Sequence, residues 1–169
     1  LFKCSCILLA VSCASAASVA DAQRAQSCTD IKSLRMEGVE ITSATPVAAG
    51  ARIPVPYQGT IGPLPAHCLV DGVIHRRKGV GSEEFGIGFE LALPSPEAWN
   101  GNFMMQGGGG SNGVVSYPLG SSFSGEKPAL VRGFAVASTD TGHKSKGGGF
   151  DFSFMSDQQA YLDFAFEAN

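Results

Sequence analysis

Residues 132–143 run Arg-Gly-Phe-Ala-Val-Ala-Ser-Thr-Asp-Thr-Gly-His. Phe134 to Ala137 is a continuous apolar run, the pattern of a strand buried on both faces, and Gly133 closes a helix end predicted over Pro128 to Arg132. Ser138 to His143 then fall at the strand's end, a common place for functional groups in open α/β sheets. Toward the N-terminus, Phe103, Met104 and Met105 form a short apolar run that stops at Gly107, Gly108, Gly109 and Gly110. Before it, Phe85, Ile87, Phe89, Leu91 and Leu93 alternate with Gly86, Gly88, Glu90 and Ala92. That two-residue period predicts a strand with one face packed and the other meeting small side chains or solvent. Cys68 to Ile74 and Val39 to Val47 are further strands, the latter stopped by Pro46 and Gly50. Pro54, Pro56, Pro63 and Pro65 make Gly50 to Pro65 extended and loop-like. Cys28 to Leu34 is expected to be a short helix capped by Thr29 or Asp30, and Asp157 to Glu167 a second one. Strands first, then strand–helix–strand–helix, give an α/β class with antiparallel leading strands.

The 169 residues leave room for one domain or for part of a larger one. A net charge of -3 with scattered Lys and Arg provides no basic stripe for nucleic acid. A charged fraction of only 16%, with 22 glycines, suits a loop-rich exported protein with a buried sheet better than a helical bundle. Lys3, the apolar core Ile7 to Val11 and the small residues Ala14 to Ser18 follow the pattern of a secretory signal peptide. The apolar run is too short to span a membrane. Residues 1–22 are therefore expected to be removed, leaving 23–169 in a secreted or periplasmic location. Cys4, Cys6 and Cys13 leave with the signal, so Cys28 and Cys68 remain. An even number of cysteines in an oxidising compartment suggests a disulfide, the alternative being two separate buried thiols.

Four consecutive glycines after a short strand can aim backbone N–H groups at a developing oxyanion, or can be a surface loop. The run lacks the Lys and Ser/Thr of a phosphate-binding loop. Asp140 and His143 could be an acid/base pair or metal ligands, or could stitch their loop together. His67 and His75 have no partners at metal-site spacing. No Gly-x-Ser-x-Gly elbow is read anywhere in the chain, and every serine is read as lacking the strand–turn–helix context that a nucleophile needs.

Several segments in order resemble the tannase/feruloyl esterase family. They are Leu64 to Val70 (LPAHCLV), Phe89 to Pro94 (FELALP), Trp99 to Phe103 running into Gln106 to Gly110, Arg132 to His143, and Asp163 to Ala165. The resemblance implies an exported α/β-hydrolase with a Ser-His-Asp triad and a large inserted lid. It implies a Gly-Cys-Ser nucleophile elbow beyond Asn169, so that 23–169 would be the N-terminal portion of the catalytic domain, without a catalytic residue of its own and inactive by itself. It implies Gly108 and Gly109 as oxyanion-hole candidates, Asp140 and His143 as structural residues near the site, and Cys28 and Cys68 as the family's N-terminal disulfide. Calcium is implied in the missing lid, and the substrates are esters of aromatic acids such as gallate and ferulate. The rival expectation is a secreted, non-catalytic binding or structural β-module.

Overall fold

The computed structural model describes residues 27–56, 58–120, 127–147 and 150–168. The expected signal segment, with Cys4, Cys6 and Cys13, lies outside them. Among the described residues the framework is a five-stranded mixed sheet in the order β1-β4-β5-β7-β6, with a separate hairpin β2-β3. The strands are β1 (Val39–Val47), β2 (Ile53–Val55), β3 (Gly59–Ile61), β4 (His67–Lys78), β5 (Glu84–Pro94), β6 (Phe103–Gln106) and β7 (Ala135–Thr139). β4 and β5 form the long central hairpin, paired from His67 opposite Pro94 to Lys78 opposite Glu84. β1 and β7 flank it, both antiparallel. β6 then pairs with β7 in parallel, Phe103 opposite Ala135 and Gln106 opposite Ser138. A parallel pair cannot be joined by a tight turn and needs a long crossover. Residues 107–134 supply it, and they include the glycine run.

All five predicted strands are present: β1 has the predicted bounds, running through Pro46 to Val47, β4, β5 and β6 are longer, and β7 starts one residue later and runs on to Thr139. The stretch expected to be loop between Gly50 and Pro65 contains the hairpin β2-β3, with Pro54 inside β2 opposite Thr60. Proline gives up one ladder hydrogen bond, and a two-stranded hairpin tolerates that at a strand's free edge. The N-terminal helix is a 3-10 turn, Cys28–Ser33, and its cap is Ser27 rather than Thr29 or Asp30. Asp30 instead accepts from the Ser27 backbone N–H at 3.1 Å, completing a capping box. The C-terminal helix is one α-helical turn and a half, α1 (Gln158–Leu162), continued by a wider π-type segment Asp163–Glu167. Before β7, the predicted helix end is a 3-10 turn, Leu130–Arg132, closed by Gly133 at φ 87°.

The alternation in β5 has a different consequence from the expected one. Gly86, Gly88 and Ala92, on the small-residue face, are buried, and on the other face Phe85 and Ile87 are buried while Phe89, Leu91 and Leu93 are half-buried. Small side chains let the covering segments approach the sheet closely. Ala92 and Val136 form the floor of a core closed by Leu64, Leu119, Ala129 and Leu130, against which Ile53, Val55 and Ile61 of the hairpin pack. A smaller cluster of Phe85, Phe154 and Ala160 fastens α1 to the end of β5. Cys28 and Cys68 are joined by a disulfide across a sequence separation of 40, with their Cα atoms 5.4 Å apart. It ties the first 3-10 turn to β4. No helix among the described residues is long and apolar enough to cross a membrane.

Candidate functional site

The crossover leaves β6 through Gly107 to Gly110 and doubles back at once, held by the loop that ends β7. Gly110, Asn112 and Gly113 have φ values of 63°, 56° and 80°, in the left-handed region that favours glycine and asparagine. The Asn112 backbone N–H donates to the Gly109 carbonyl at 2.9 Å, and its side-chain Nδ2 donates to the Thr139 carbonyl at 2.8 Å. Gly113 N–H donates to the Asp140 carbonyl at 3.2 Å, and Ser145 N–H to the Gly113 carbonyl at 2.9 Å. Gln106, the last residue of β6, pins the far side. Its Nε2 donates to the Tyr117 carbonyl at 3.2 Å, and its Oε1 accepts from Gly120 N–H at 2.6 Å.

Between the glycine run and the β2-β3 hairpin opens a groove of about 820 Å³. Its walls are largely apolar, including Pro54, Val55, Val114, Val115 and Leu119, with Gly107, Gly108 and Gly109 along one rim. That is within the usual range for a small-molecule cleft. The four glycines answer to different constraints. A Cβ on Gly108 would overlap the Asn112 carboxamide, whereas at Gly107 and Gly109 it would meet nothing within 4 Å.

Asp140 and His143, the other sequence candidates, lie behind this loop. Asp140 is buried, and its Oδ1 accepts from the backbone N–H groups of Gly88 and Gly142, each at 2.9 Å. Burial pushes its carboxyl up to about 6, against the lowering effect of those two donors. His143 is equally buried, stacked on Phe154 with ring centroids 3.8 Å apart. Burial lowers its pKa, against a raising contribution from the Thr141 backbone. No hydrogen bond joins Asp140 to His143; the Asp140 carboxylate is instead taken up by backbone N–H groups. Among the described residues no group of three His, Cys, Asp or Glu side chains is placed to hold a metal. His67 bonds instead to Pro65 and Tyr117: Nδ1–H donates to the Pro65 carbonyl at 2.7 Å, and Nε2 accepts from the Tyr117 hydroxyl at 2.6 Å. His75 pairs with Glu167 at 3.5 Å.

One correction concerns serine. Gly109-Gly110-Ser111-Asn112-Gly113 does match the Gly-x-Ser-x-Gly pattern. Ser111 is fully buried, however, and is followed by more loop rather than by a helix. A nucleophile elbow requires an exposed Oγ on a strand-to-helix turn. The pattern is met by letters and not by geometry.

Sequence reasoning missed a polar row across the sheet. Asp71, Glu90, Ser138 and Gln106 stand directly opposite one another on four strands. Ser43 of β1 donates to Asp71, and Ser138 donates to the Ser116 carbonyl. Burial, and then the Asp71 charge, push the Glu90 carboxyl up to about 7. Only the pairing of strands distant in sequence reveals the row; within β5 alone Glu90 reads as an ordinary outward residue.

A family model described as "Tannase and feruloyl esterase" matches residues 68–169. The chain is 41% identical over 103 residues to a mono(2-hydroxyethyl) terephthalate hydrolase of Piscinibacter sakaiensis, covering 60% of this chain and 17% of that protein. It is 35% identical over 163 residues to an uncharacterized esterase of Xanthomonas campestris, covering 96% of this chain and 26% of that one. Feruloyl esterase B from Aspergillus oryzae superposes with a TM-score of 0.60 at 26% identity, over 82% of this chain and 25% of that one. A second Aspergillus oryzae esterase shares the fold, with a TM-score of 0.55 at 20% identity, over 81% of this chain and 25% of that one. The chain thus spans a quarter or less of the length of most of these relatives, and 26% of the Xanthomonas esterase.

Proposed function

The chain belongs to the tannase and feruloyl esterase family, and on that premise we propose that it forms the N-terminal part of the catalytic domain of an exported serine carboxylic ester hydrolase. The observation that carries this reading is the glycine run at the end of a short strand parallel to β7, on the rim of an apolar groove. In α/β-hydrolases a loop in that place supplies one of the two backbone N–H groups of the oxyanion hole. Gly108 and Gly109 are the candidates for that donor in this reading. A serine hydroxyl supplied by later residues attacks the ester carbonyl, a histidine takes its proton, and an acyl-enzyme forms and is hydrolysed. The donors stabilise charge that develops on the carbonyl oxygen in the tetrahedral state. Asp140 and His143 support the loop from behind and take no part in proton transfer. Calcium, which the resemblance places in a lid, is assigned no residue of this chain.

The substrates in this reading are esters of aromatic acids. The apolar groove wall supports that class, as does the printed activity of the Piscinibacter relative, a terephthalate half-ester hydrolase. Export is supported by the Cys28–Cys68 disulfide, a bond favoured in oxidising compartments. The test is hydrolysis by the full-length protein of methyl ferulate, methyl gallate and methyl butyrate. Turnover of the aromatic esters with little of the butyrate is the expected result. Preference for butyrate would remove the substrate assignment, and no hydrolysis of any ester would remove the enzyme assignment.

A further inference from the structure

We propose that Asn112 is the positioning residue of the glycine run, holding the 108–110 backbone in the shape that presents its N–H groups to the groove. The inference rests on the esterase reading above and adds to it a residue on the groove's lining that acts through the glycine backbone. Three features of Asn112 converge. Its φ of 56° lies in the left-handed region, which asparagine and glycine enter at least cost. Its backbone N–H holds the Gly109 carbonyl at 2.9 Å. This bond fixes the orientation of the 109–110 peptide plane, and with it the C-terminal end of the segment that carries Gly108 and Gly109.

The carboxamide does the rest. It lies against the Cα of Gly108 so closely that no Cβ fits there. Its Nδ2 is in turn tied to the Thr139 carbonyl at 2.8 Å, at the end of β7. The glycine loop is therefore braced against the strand that pairs with β6, and not left to its own flexibility. Four glycines in a row would otherwise sample many backbone states, and ordering them would fall to the transition state. A donor displaced by about 1 Å can cost roughly 10²-fold in rate, so a brace of this kind acts on kcat more than on substrate binding.

The experiment compares the full-length enzyme with Asn112→Gly, Asn112→Asp, Gly108→Ala and the double variant Gly108→Ala/Asn112→Gly. Rates on methyl ferulate are expressed per active site titrated with a fluorophosphonate, with Tm measured alongside. Asn112→Gly keeps the backbone conformation and loses the carboxamide. It is expected to lower kcat roughly 10- to 100-fold with KM changed less than about threefold. Affinity for a phenylboronic acid, which forms a tetrahedral adduct on the serine, is expected to fall in parallel. Asn112→Asp, which turns the Nδ2 donor into an oxygen facing the Thr139 carbonyl, is expected to lose activity likewise. Gly108→Ala should be harmful in the wild-type background and add little once the carboxamide is gone, the signature of two groups in contact. Should Asn112→Gly fold poorly, Asn112→Asp and Gly108→Ala carry the same comparison. Wild-type activity with unaltered kcat in the Asn112 variants, or strictly additive effects in the double variant, overturns this inference alone. An inactive wild-type enzyme overturns the esterase reading, and this inference with it.

Discussion

Gly108 and Gly109 are neighbours with opposite reasons for being glycine. The first has the Asn112 side chain against it, so the chain's own packing forbids a Cβ; the second has open space where a Cβ would go. Gly109→Ala should therefore fold with an unchanged Tm. If its backbone N–H serves the oxyanion, a larger Gly109→Val should lower kcat in the full-length enzyme by roughly 10²-fold. Full activity in both would leave Gly109 a plain loop residue. Asp140 offers a second test at this scale. Its carboxyl is raised to about 6, so the folded state binds the proton more tightly than the unfolded chain does. Its contribution to stability is complete at low pH and is lost as pH rises from about 4 through about 6, by up to about 3 kcal/mol. Asp140→Asn keeps an oxygen for the Gly88 and Gly142 N–H groups and removes the titration. Urea denaturation at pH 4.5 and 7.5 should show the Asp140→Asn variant losing less stability across that window than the wild type, the remaining loss coming from Glu90, whose carboxyl is raised to about 7. An equal loss in both would assign the slope to other groups, Glu90 first among them.

At the scale of elements, legibility in the sequence follows the range of the interactions. β5 and β7 are visible because period two and an unbroken apolar run are local properties. The hairpin β2-β3 is not visible, since Pro54 and Pro56 read as punctuation and only packing of Ile53 and Ile61 on the core shows the pairing. The glycine run was legible as a candidate, whereas Asn112 was not, because its contacts to Gly108 and Thr139 depend on how the crossover folds back. The same holds for α1. Its N-cap Asp157 accepts from Ala160 N–H at 2.9 Å, as capping carboxylates do. What no local pattern indicates is Arg77 of β4, 80 residues earlier, whose guanidinium grips that carboxylate with two hydrogen bonds at 2.5 and 3.1 Å. The Arg77 guanidinium holds the Asp157 carboxyl well below its ordinary range, so this contribution has the opposite sign to that of Asp140. It is present above about pH 4 and lost on acidification. Asp157→Ala removes a cap and leaves the partly buried Arg77 guanidinium without its partner, and should cost about 1–3 kcal/mol in urea denaturation. Asp157→Asn keeps the cap and should cost less; equal costs would mean that the ion pair contributes little.

At the scale of the molecule, the face of the sheet that carries Leu91 is covered at Val70 and Ile87 and left partly open toward β6. Phe89, Leu91 and Leu93 of β5 are half-buried, and Phe103 of β6 is 60% exposed. Ala137 and Met105 stand in register with Leu91 on that same face. The N-terminal 3-10 turn reaches this face through the Cys28–Cys68 disulfide, Cys68 standing opposite Leu93, and the C-terminal helical segment reaches it through the Ala168 carbonyl, which accepts from the Thr139 hydroxyl at 3.0 Å. β6 pairs with β7 on one side and with no other described strand. Contiguous apolar surface beside an unpaired strand edge marks a place where more protein packs. Activity follows the same division. The groove and the glycine run are present, but Ser111 is buried and no other described serine stands on a strand-to-helix turn. Oxyanion donors and binding without a nucleophile and base retain only a small part of a triad's rate enhancement. Purified residues 27–169 should therefore bind a hydrophobic dye, associate at micromolar concentration, and leave methyl ferulate and methyl gallate intact. The full-length protein should stay monodisperse by comparison and hydrolyse both. Ester hydrolysis by the 27–169 segment, abolished by Ser111→Ala, would place the nucleophile in the glycine loop after all and would require that loop to open.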